Sequence, residues 1–143
     1  MKKLNFKIQI NAPKTKVWTA LWNDQNYRKW TSVFAEGSYA NTNWQEGSRV
    51  QFLNQDGDGI YGTIEKNIPN TQMSFKYIGE VKKQKESNEN TDWAGASENY
   101  FLKEDNNKTE LNVEMEATDE FKDYFSDKFP KALQVVKEIS EGV

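Results

Sequence analysis

The amino-terminal segment alternates between apolar and polar side chains, which is the pattern of a β-strand with one buried face. The apolar positions are Leu4, Phe6, Ile8 and Ile10. The next three residues, Asn11-Ala12-Pro13, end this period, and we expect Asn11 to cap a helix whose first turn contains Pro13. Apolar residues then recur at helical spacing, at Val17, Trp18, Leu21 and Trp22. A second short helix is predicted over about 24–30.

From about residue 35 the period of two returns, and it predicts six more strands. They lie near 36–43, 48–54, 59–67, 72–80, 97–104 and 108–116. Turn-forming residues separate several of them, as in Glu46-Gly47-Ser48, Asp56-Gly57-Asp58-Gly59, Pro69-Asn70 and Asp105-Asn106-Asn107. The predicted inward side chains are Val50, Phe52, Ile60, Ile64, Met73, Phe75, Tyr77, Tyr100, Leu102, Leu111, Val113 and Met115.

One connection between the predicted strands has no apolar anchor. Residues 82–92 are all polar or charged. We therefore predict a solvated loop over 82–92, either a plain connector or a lid over the mouth of a cavity.

The chain ends in a predicted amphipathic helix that begins after Thr118, a favourable N-cap residue. An apolar stripe at helical spacing comprises Phe121, Phe125, Phe129, Ala132, Leu133, Val136 and Ile139. Pro130 interrupts the stripe. The helix either kinks there or ends near Phe125 and restarts with Ser126 as cap, and we favour the restart.

These elements predict an α+β class and a single domain over residues 1–143. One long antiparallel sheet of about seven strands, with one helical stripe to cover it, must curve around that helix to bury its inner face. Aromatic side chains dominate this face, and rings of that size fill a concave surface imperfectly. A cavity between the sheet and the C-terminal helix is therefore expected.

Composition removes several classes of chemistry. The chain contains no Cys and no His, which excludes thiolate nucleophiles, histidine dyads and zinc sites with nitrogen or sulfur ligands. Its net charge is −3 and only two basic residues are Arg, so a nucleic-acid-binding surface is not expected. We predict no cofactor and no metal site. No segment has the apolar length of a signal peptide or a membrane span, and we expect a cytoplasmic protein.

Seven short motifs together resemble the START-like, or SRPBCC, superfamily. They are Asn-Ala-Pro-x-x-x-Val-Trp-x-Ala-Leu-Trp-Asn (11–23), Tyr-Arg-Lys-Trp-Thr (27–31), Trp-Gln-Glu-Gly-Ser (44–48), Gly-x-Ile-x-x-x-Ile-Pro (62–69), Glu-Asn-Tyr-Phe-Leu (98–102), Lys-Thr-Glu-Leu-Asn-Val (108–113) and Ala-Leu-Gln-Val-Val-Lys-Glu-Ile (132–139). Their order and spacing are most similar to the branch named for activators of the heat shock protein 90 ATPase. The resemblance covers essentially the whole chain.

This resemblance implies the helix-grip fold, also called the birch-pollen-allergen-like fold, with a deep pocket between the sheet and the last helix. Members of the superfamily bind lipids, sterols or other apolar small molecules. The positions that correspond to pocket-lining residues are Trp30, Phe34, Trp44, Phe52, Phe75, Tyr77, Tyr100, Phe121, Phe125 and Phe129. For Trp30, Phe34 and Trp44, ordinary packing in the core is the alternative.

Glu98 is the one acidic candidate for the pocket, because it shares a strand face with Tyr100 and Leu102. Inside a cavity it would act as a general base or anchor the polar end of a ligand, whereas at the strand end it would be solvated. Arg28 and Arg49 either pair with Glu98, hold a ligand carboxylate, or lie on the surface.

Three functions remain open at this stage. The first is binding of a small apolar or amphipathic molecule in the cavity. The second is a protein-interaction factor of the chaperone-activator type, whose partner is a chaperone or another protein. The third is an enzyme of the cyclase or hydrolase type that uses Glu98 and pocket tyrosines, and we do not favour it.

Overall fold

The computed structural model describes residues 1–87 and 92–142, in which eleven elements follow one another. They are β1 (Lys2–Ile10), α1 (Lys14–Trp22), α2 (Asp24–Thr31), β2 (Tyr39–Asn41), β3 (Arg49–Leu53), β4 (Gly59–Ile68), β5 (Gln72–Lys82), β6 (Lys85–Ser87), β7 (Ser97–Asp105), β8 (Lys108–Ala117) and α3 (Asp119–Glu141). The α+β class and the two short helices after the first strand are confirmed. None of the helices in these residues is both long enough and apolar enough to cross a lipid bilayer.

All strand pairs in the sheet are antiparallel. The order is β1-β8-β7-β5-β4-β3-β2, and β6 pairs with β5 outside this path. The first strand therefore pairs with the last one, and Leu4 lies opposite Met115. This pairing puts the alternating apolar positions of both strands on the same concave face.

The β4–β5 pair is irregular at two points. Its register shifts between Tyr61 and Gly62 and again between Ile64 and Lys66, as at β-bulges. A Cβ atom at Gly62 would lie 2.0 Å from the carbonyl oxygen of Lys76, so only glycine permits this approach of the two strands.

Helix α3 lies against the concave face. Phe129, Leu133 and Val136 are buried there, and the Phe129 ring stacks on Phe6 with 4.9 Å between ring centroids. The apolar stripe predicted from the sequence therefore packs as expected over its second half.

The predicted restart of this helix is wrong, because α3 is one helix of 23 residues with Pro130 in its interior. Pro130 and Ser126 are both exposed. A proline at position 130 deprives the Ser126 carbonyl of its helical partner, and both residues lie on the solvent side of the helix, where water can replace that partner. Burial of Phe129 and Leu133 on either side of the proline holds the helix together. Thr118 does occupy the N-cap position, but its hydroxyl makes no capping hydrogen bond.

Asn11 does not cap α1. Pro13 is at the N-cap position, and the Asn11 backbone N–H instead donates to Glu141 Oε2 at 2.7 Å. The junction after β1 is thereby tied to the end of α3. A side-chain cap does occur at α2, where Asn23 accepts from the Asn26 N–H.

The predicted 82–92 loop is largely wrong over its first half. Strand β5 continues to Lys82, and residues 83 and 84 form a turn with positive φ that leads into β6. The turn is held from outside, since the Gln84 N–H donates to the Gly57 carbonyl and the Lys83 N–H donates to Asp58. A short pair of strands at the edge of a sheet needs no apolar side chains, because the backbone hydrogen bonds between the strands hold it in place. Residues 88–91 lie outside the described part of the chain.

Candidate functional site

The concave face of the sheet does not close completely against the helices. A cavity of about 400 Å³ remains between the end of α2, the middle of the sheet and the first half of α3. This volume lies within the range of roughly 300–1,000 Å³ that small-molecule sites occupy. Twelve of the lining side chains are aromatic: Tyr27, Trp30, Phe34, Tyr39, Phe52, Tyr77, Trp93, Tyr100, Phe121, Tyr124, Phe125 and Phe129.

Nine of the eleven candidate residues from the sequence line this cavity. They are Trp30, Phe34, Phe52, Tyr77, Glu98, Tyr100, Phe121, Phe125 and Phe129. Because all of these except Phe34 lie on helices or strands, the framework of the fold positions most of the wall.

Trp44 and Phe75 do not line the cavity. Both pack against Trp22 of α1, with ring centroids 5.2 Å and 5.6 Å from it. Phe75 shares its strand face with Tyr77, but the α1 ring covers it and leaves 1% of its surface exposed. One end of the concave face is therefore filled by packed side chains, and we call it the solid end. The other end contains the cavity, and we call it the hollow end.

Several lining residues were not anticipated from the sequence, chiefly Tyr27, Tyr39, Trp93 and Tyr124. Tyr27 carried a usable signal, since it precedes Trp30 by three residues on α2 and so shares its face. Trp93 is the first ring after the polar 82–92 segment, and its ring centroid lies 6.2 Å from that of Tyr77.

Glu98 extends into the cavity, and it is not solvated at the rim. The hydroxyl of Tyr77 donates to its Oε1 atom, and the hydroxyl of Tyr100 donates to its Oε2 atom at 2.5 Å. Alternation along β7 places Glu98 and Tyr100 on the inner face, and Tyr77 comes from the neighbouring strand β5. Each carboxylate oxygen therefore has one phenol donor.

Burial dominates the electrostatics of this group. It raises the pKa of Glu98, while the hydrogen bonds from Tyr100 and Tyr77 act in the opposite direction. The pKa values of Tyr27, Tyr77 and Tyr100 are raised well above the usual phenol range by burial and then by the charge of Glu98. All three phenols therefore keep their protons at neutral pH, and two of them serve as donors to the carboxylate.

Neither arginine pairs with Glu98. Arg28 bonds Asp24 at 3.0 Å and lies over the Tyr39 ring, 5.1 Å from its centroid. Arg49 pairs with Glu86, and both side chains are partly exposed to solvent. The surface alternative considered for both residues is the one that the structure shows.

The cavity reaches the surface beside α3. Phe121 and Tyr124 line it and are 38% and 37% exposed. The Tyr124 hydroxyl donates to the Phe34 carbonyl at 2.5 Å, which joins α3 to the segment after α2. Close by in the chain, the Thr118 hydroxyl lines the cavity, is buried, and has no hydrogen-bond partner among the described residues.

The chemistry available here is recognition by rings, one carboxylate and a few hydroxyls. Within residues 1–87 and 92–142, no group of three or more acidic side chains is arranged to hold a metal ion. The Glu98–tyrosine cluster can accept a hydrogen bond or hold a positive charge, and the surrounding rings can enclose an apolar body.

Comparison with solved structures shows the same fold in several bacterial proteins. A protein from Mesorhizobium loti is 13% identical, with 99% of this chain and 98% of that one covered and a TM-score of 0.79. The Aha1 dimer from Colwellia psychrerythraea is 22% identical over 96% and 95% of the two chains, with a TM-score of 0.70. An AHSA1-like protein from Aeromonas hydrophila is 14% identical over 99% and 93%, with a TM-score of 0.71.

Comparison of sequences is more specific. A search of the curated proteins found no match. The family model described as activator of Hsp90 ATPase homolog 1-like protein, however, matches residues 11–139. This match covers nearly all of the chain and confirms the resemblance inferred from its motifs, so the chain belongs to the family of activator of Hsp90 ATPase homolog 1-like proteins.

Proposed function

We propose that this protein binds one small apolar or amphipathic molecule in the cavity between its sheet and α3. The carrying observation is the cavity itself, about 400 Å³ in volume and enclosed mainly by aromatic side chains. Protein cores normally pack without voids larger than a water molecule. A cavity of this volume in the middle of the fold therefore indicates that a ligand fills it.

The polar groups in the wall indicate an amphipathic occupant. Glu98 supplies acceptor capacity in the cavity wall, and the Thr118 hydroxyl near the start of α3 has no hydrogen-bond partner among the described residues. A buried hydroxyl without a hydrogen bond costs stability, and a ligand that reaches it removes that cost. The mouth beside Phe121 and Tyr124 provides a route of entry.

A neutral aromatic probe tests this proposal. Isothermal titration calorimetry with 1-naphthalenemethanol should show saturable binding at a stoichiometry of one, and binding should raise the melting temperature by mass action. Ile60 lines the cavity, so Ile60→Trp should fill part of the space and weaken probe binding by about tenfold or more.

The matched control is on the same strand. Ile68 ends β4, is 44% exposed and does not line the cavity. Ile68→Trp should leave the affinity within about twofold of the unsubstituted protein. Absence of saturable uptake by the folded protein, or equal affinities for both tryptophan variants, would contradict binding in this cavity.

The family match supports a second candidate, an interaction factor of the chaperone-activator type. The family description names activation of the Hsp90 ATPase. On this alternative the surface carries the function, so an effect on the ATPase rate of a bacterial Hsp90 should persist in Ile60→Trp. A rate effect that disappears when the cavity is filled would instead link the two activities.

A further inference from the structure

The ionisable side chains that line the cavity have only one kind of charge. Among the described residues they are three carboxylates, Asp58, Glu80 and Glu98, and five tyrosines. The chain has 19 Lys and Arg residues, yet none of them lines the cavity in the described part of the chain. Residues 88–91 contain no Lys or Arg in the sequence either. A ligand that enters this space meets negative charge and no protein cation.

Glu98 is held by neutral donors only. Its two hydrogen bonds come from the hydroxyls of Tyr77 and Tyr100. A carboxylate has about four acceptor positions, so each oxygen retains capacity for another N–H donor. The charge of this group therefore has no cationic partner in the described protein, although ion pairing is the usual compensation for a buried carboxylate.

The rings around Glu98 favour a cation for a second, independent reason. Tyr27, Trp30 and Tyr100 adjoin one another, with centroids 5.4 Å apart for the first pair and 6.1 Å for the second. Phe52 and Trp93 each lie within 6.3 Å of Tyr77. Ring faces carry negative potential and attract ammonium groups, and aromatic cages of this kind hold methylated or primary amines.

An anionic ligand would be disfavoured in this cavity. A fatty acid or a sulfonate would bring a second buried negative charge into a cavity that already holds Glu98, with no Lys or Arg among the lining residues to balance it. Either the ligand or Glu98 would then have to take up a proton, which costs binding free energy.

We propose that the cavity is selective for a hydrophobic cation, namely an amine or quaternary ammonium compound whose nitrogen lies against Glu98 and whose apolar body lies among the rings toward Phe125 and Phe129. This inference rests on the proposed ligand-binding function and names the class of its ligand. No covalent step is involved. Selectivity arises from the charge of one carboxylate and the orientation of the rings.

A matched set of probes with one aromatic body tests the inference on the unsubstituted protein. At pH 7, 1-naphthylmethylamine is a cation, 1-naphthalenemethanol is neutral and 1-naphthoate is an anion. Calorimetry at low salt should give the tightest binding for the amine, about tenfold tighter than for the alcohol, and the weakest for the naphthoate.

The variant Glu98→Gln removes the charge and keeps the shape. It should reduce the affinity for the amine by about tenfold or more while changing that for the alcohol by less than about threefold. Glu114 is the matched control, because it is exposed on the neighbouring strand β8 and does not line the cavity. Glu114→Gln should leave all three affinities unchanged.

The outcomes separate the two proposals. Equal affinities for the three probes, or tightest binding of the naphthoate, would overturn cation selectivity while supporting the cavity as a binding site. Failure of all three probes to bind would overturn both. The order of the probes on the unsubstituted protein decides the matter even if Glu98→Gln does not fold.

Discussion

At the scale of single residues, Glu98 shows how much of a side chain's environment the local sequence pattern can predict. Its position on β7, two residues before Tyr100, indicates the inner face of the sheet but not whether that face is wet or dry at this point. The answer comes from Tyr77 on a neighbouring strand, which bonds the carboxylate, and from Trp93 beyond the 88–91 segment, which packs against Tyr77. Neither is predictable from the sequence around residue 98.

The raised pKa of Glu98 predicts a pH dependence of stability. A carboxyl whose pKa is higher in the folded state binds more protons there than in the unfolded chain, so stability falls as pH rises from about 4.5, the ordinary value, through the folded pKa. Tyr27, Tyr77 and Tyr100 face the same group, but their pKa values are raised and they stay neutral in this range.

Urea unfolding of the protein and of Glu98→Gln between pH 4.5 and 8 measures this effect. The difference in free energy of unfolding between the two should shift in favour of the Gln variant as pH rises and then level off. Asp58 and Glu80, which also line the cavity, are present in both proteins and cancel in the difference. A difference that moves the opposite way would mean that the tyrosine hydrogen bonds outweigh burial.

At the scale of elements, α3 contains a proline at a position where an isolated helix of the same sequence would break. Proline inside a helix costs about 3 kcal/mol relative to alanine, and the sequence alone therefore favours a break. Burial of Phe129, Leu133 and Val136 along one continuous face outweighs this cost.

Substitution of this proline should stabilise the protein. Pro130 is exposed, so Pro130→Ala restores a backbone hydrogen bond to the Ser126 carbonyl without loss of packing. We expect a gain of about 1–3 kcal/mol in the free energy of unfolding. The adjacent Lys131→Ala is the control and should change stability by less than about 0.5 kcal/mol, since its pair with Asp127 is exposed. A loss of stability in Pro130→Ala would show that the packing of α3 requires a bend at this point.

At the scale of the whole molecule, the concave face is divided into a solid and a hollow end. At the solid end, Trp22 of α1 packs against Trp44 and Phe75, neither of which lines the cavity. At the hollow end, the end of α2 and the first half of α3 leave the sheet incompletely covered, and Phe125 is half-buried. The division places the cavity beside a closely packed cluster of aromatic rings.

Two truncations compare these ends. Phe75→Ala at the solid end should cost about 3–5 kcal/mol in the free energy of unfolding, because its ring is fully packed. Phe125→Ala should cost less than about half of that, since its ring already borders empty space. Both values come from urea unfolding followed by tryptophan fluorescence. Equal costs would indicate that the ring of Phe125 is as tightly packed as that of Phe75.

The sequence by itself determined the class of the fold, the place of most elements and the family. Period-two alternation marks β1, β7 and β8 nearly to the residue, and the apolar stripe of α3 is evident despite its proline. These patterns can be recognised in the sequence because each depends on contacts that repeat along one element. It missed β6, whose Lys83-Gln84 turn resembles none of the usual hairpin pairs and is held by contacts with Gly57 and Asp58.

Only the tertiary structure decided which rings line the cavity and which are covered by other rings and lie away from it. Phe75 and Tyr77 share one face of one strand, and alternation cannot distinguish them. What separates them is Trp22, more than fifty residues earlier in the chain, which covers Phe75 and leaves Tyr77 beside Glu98. The physical reason is that periodicity records the direction of a side chain, whereas a cavity depends on what the opposing elements fail to fill.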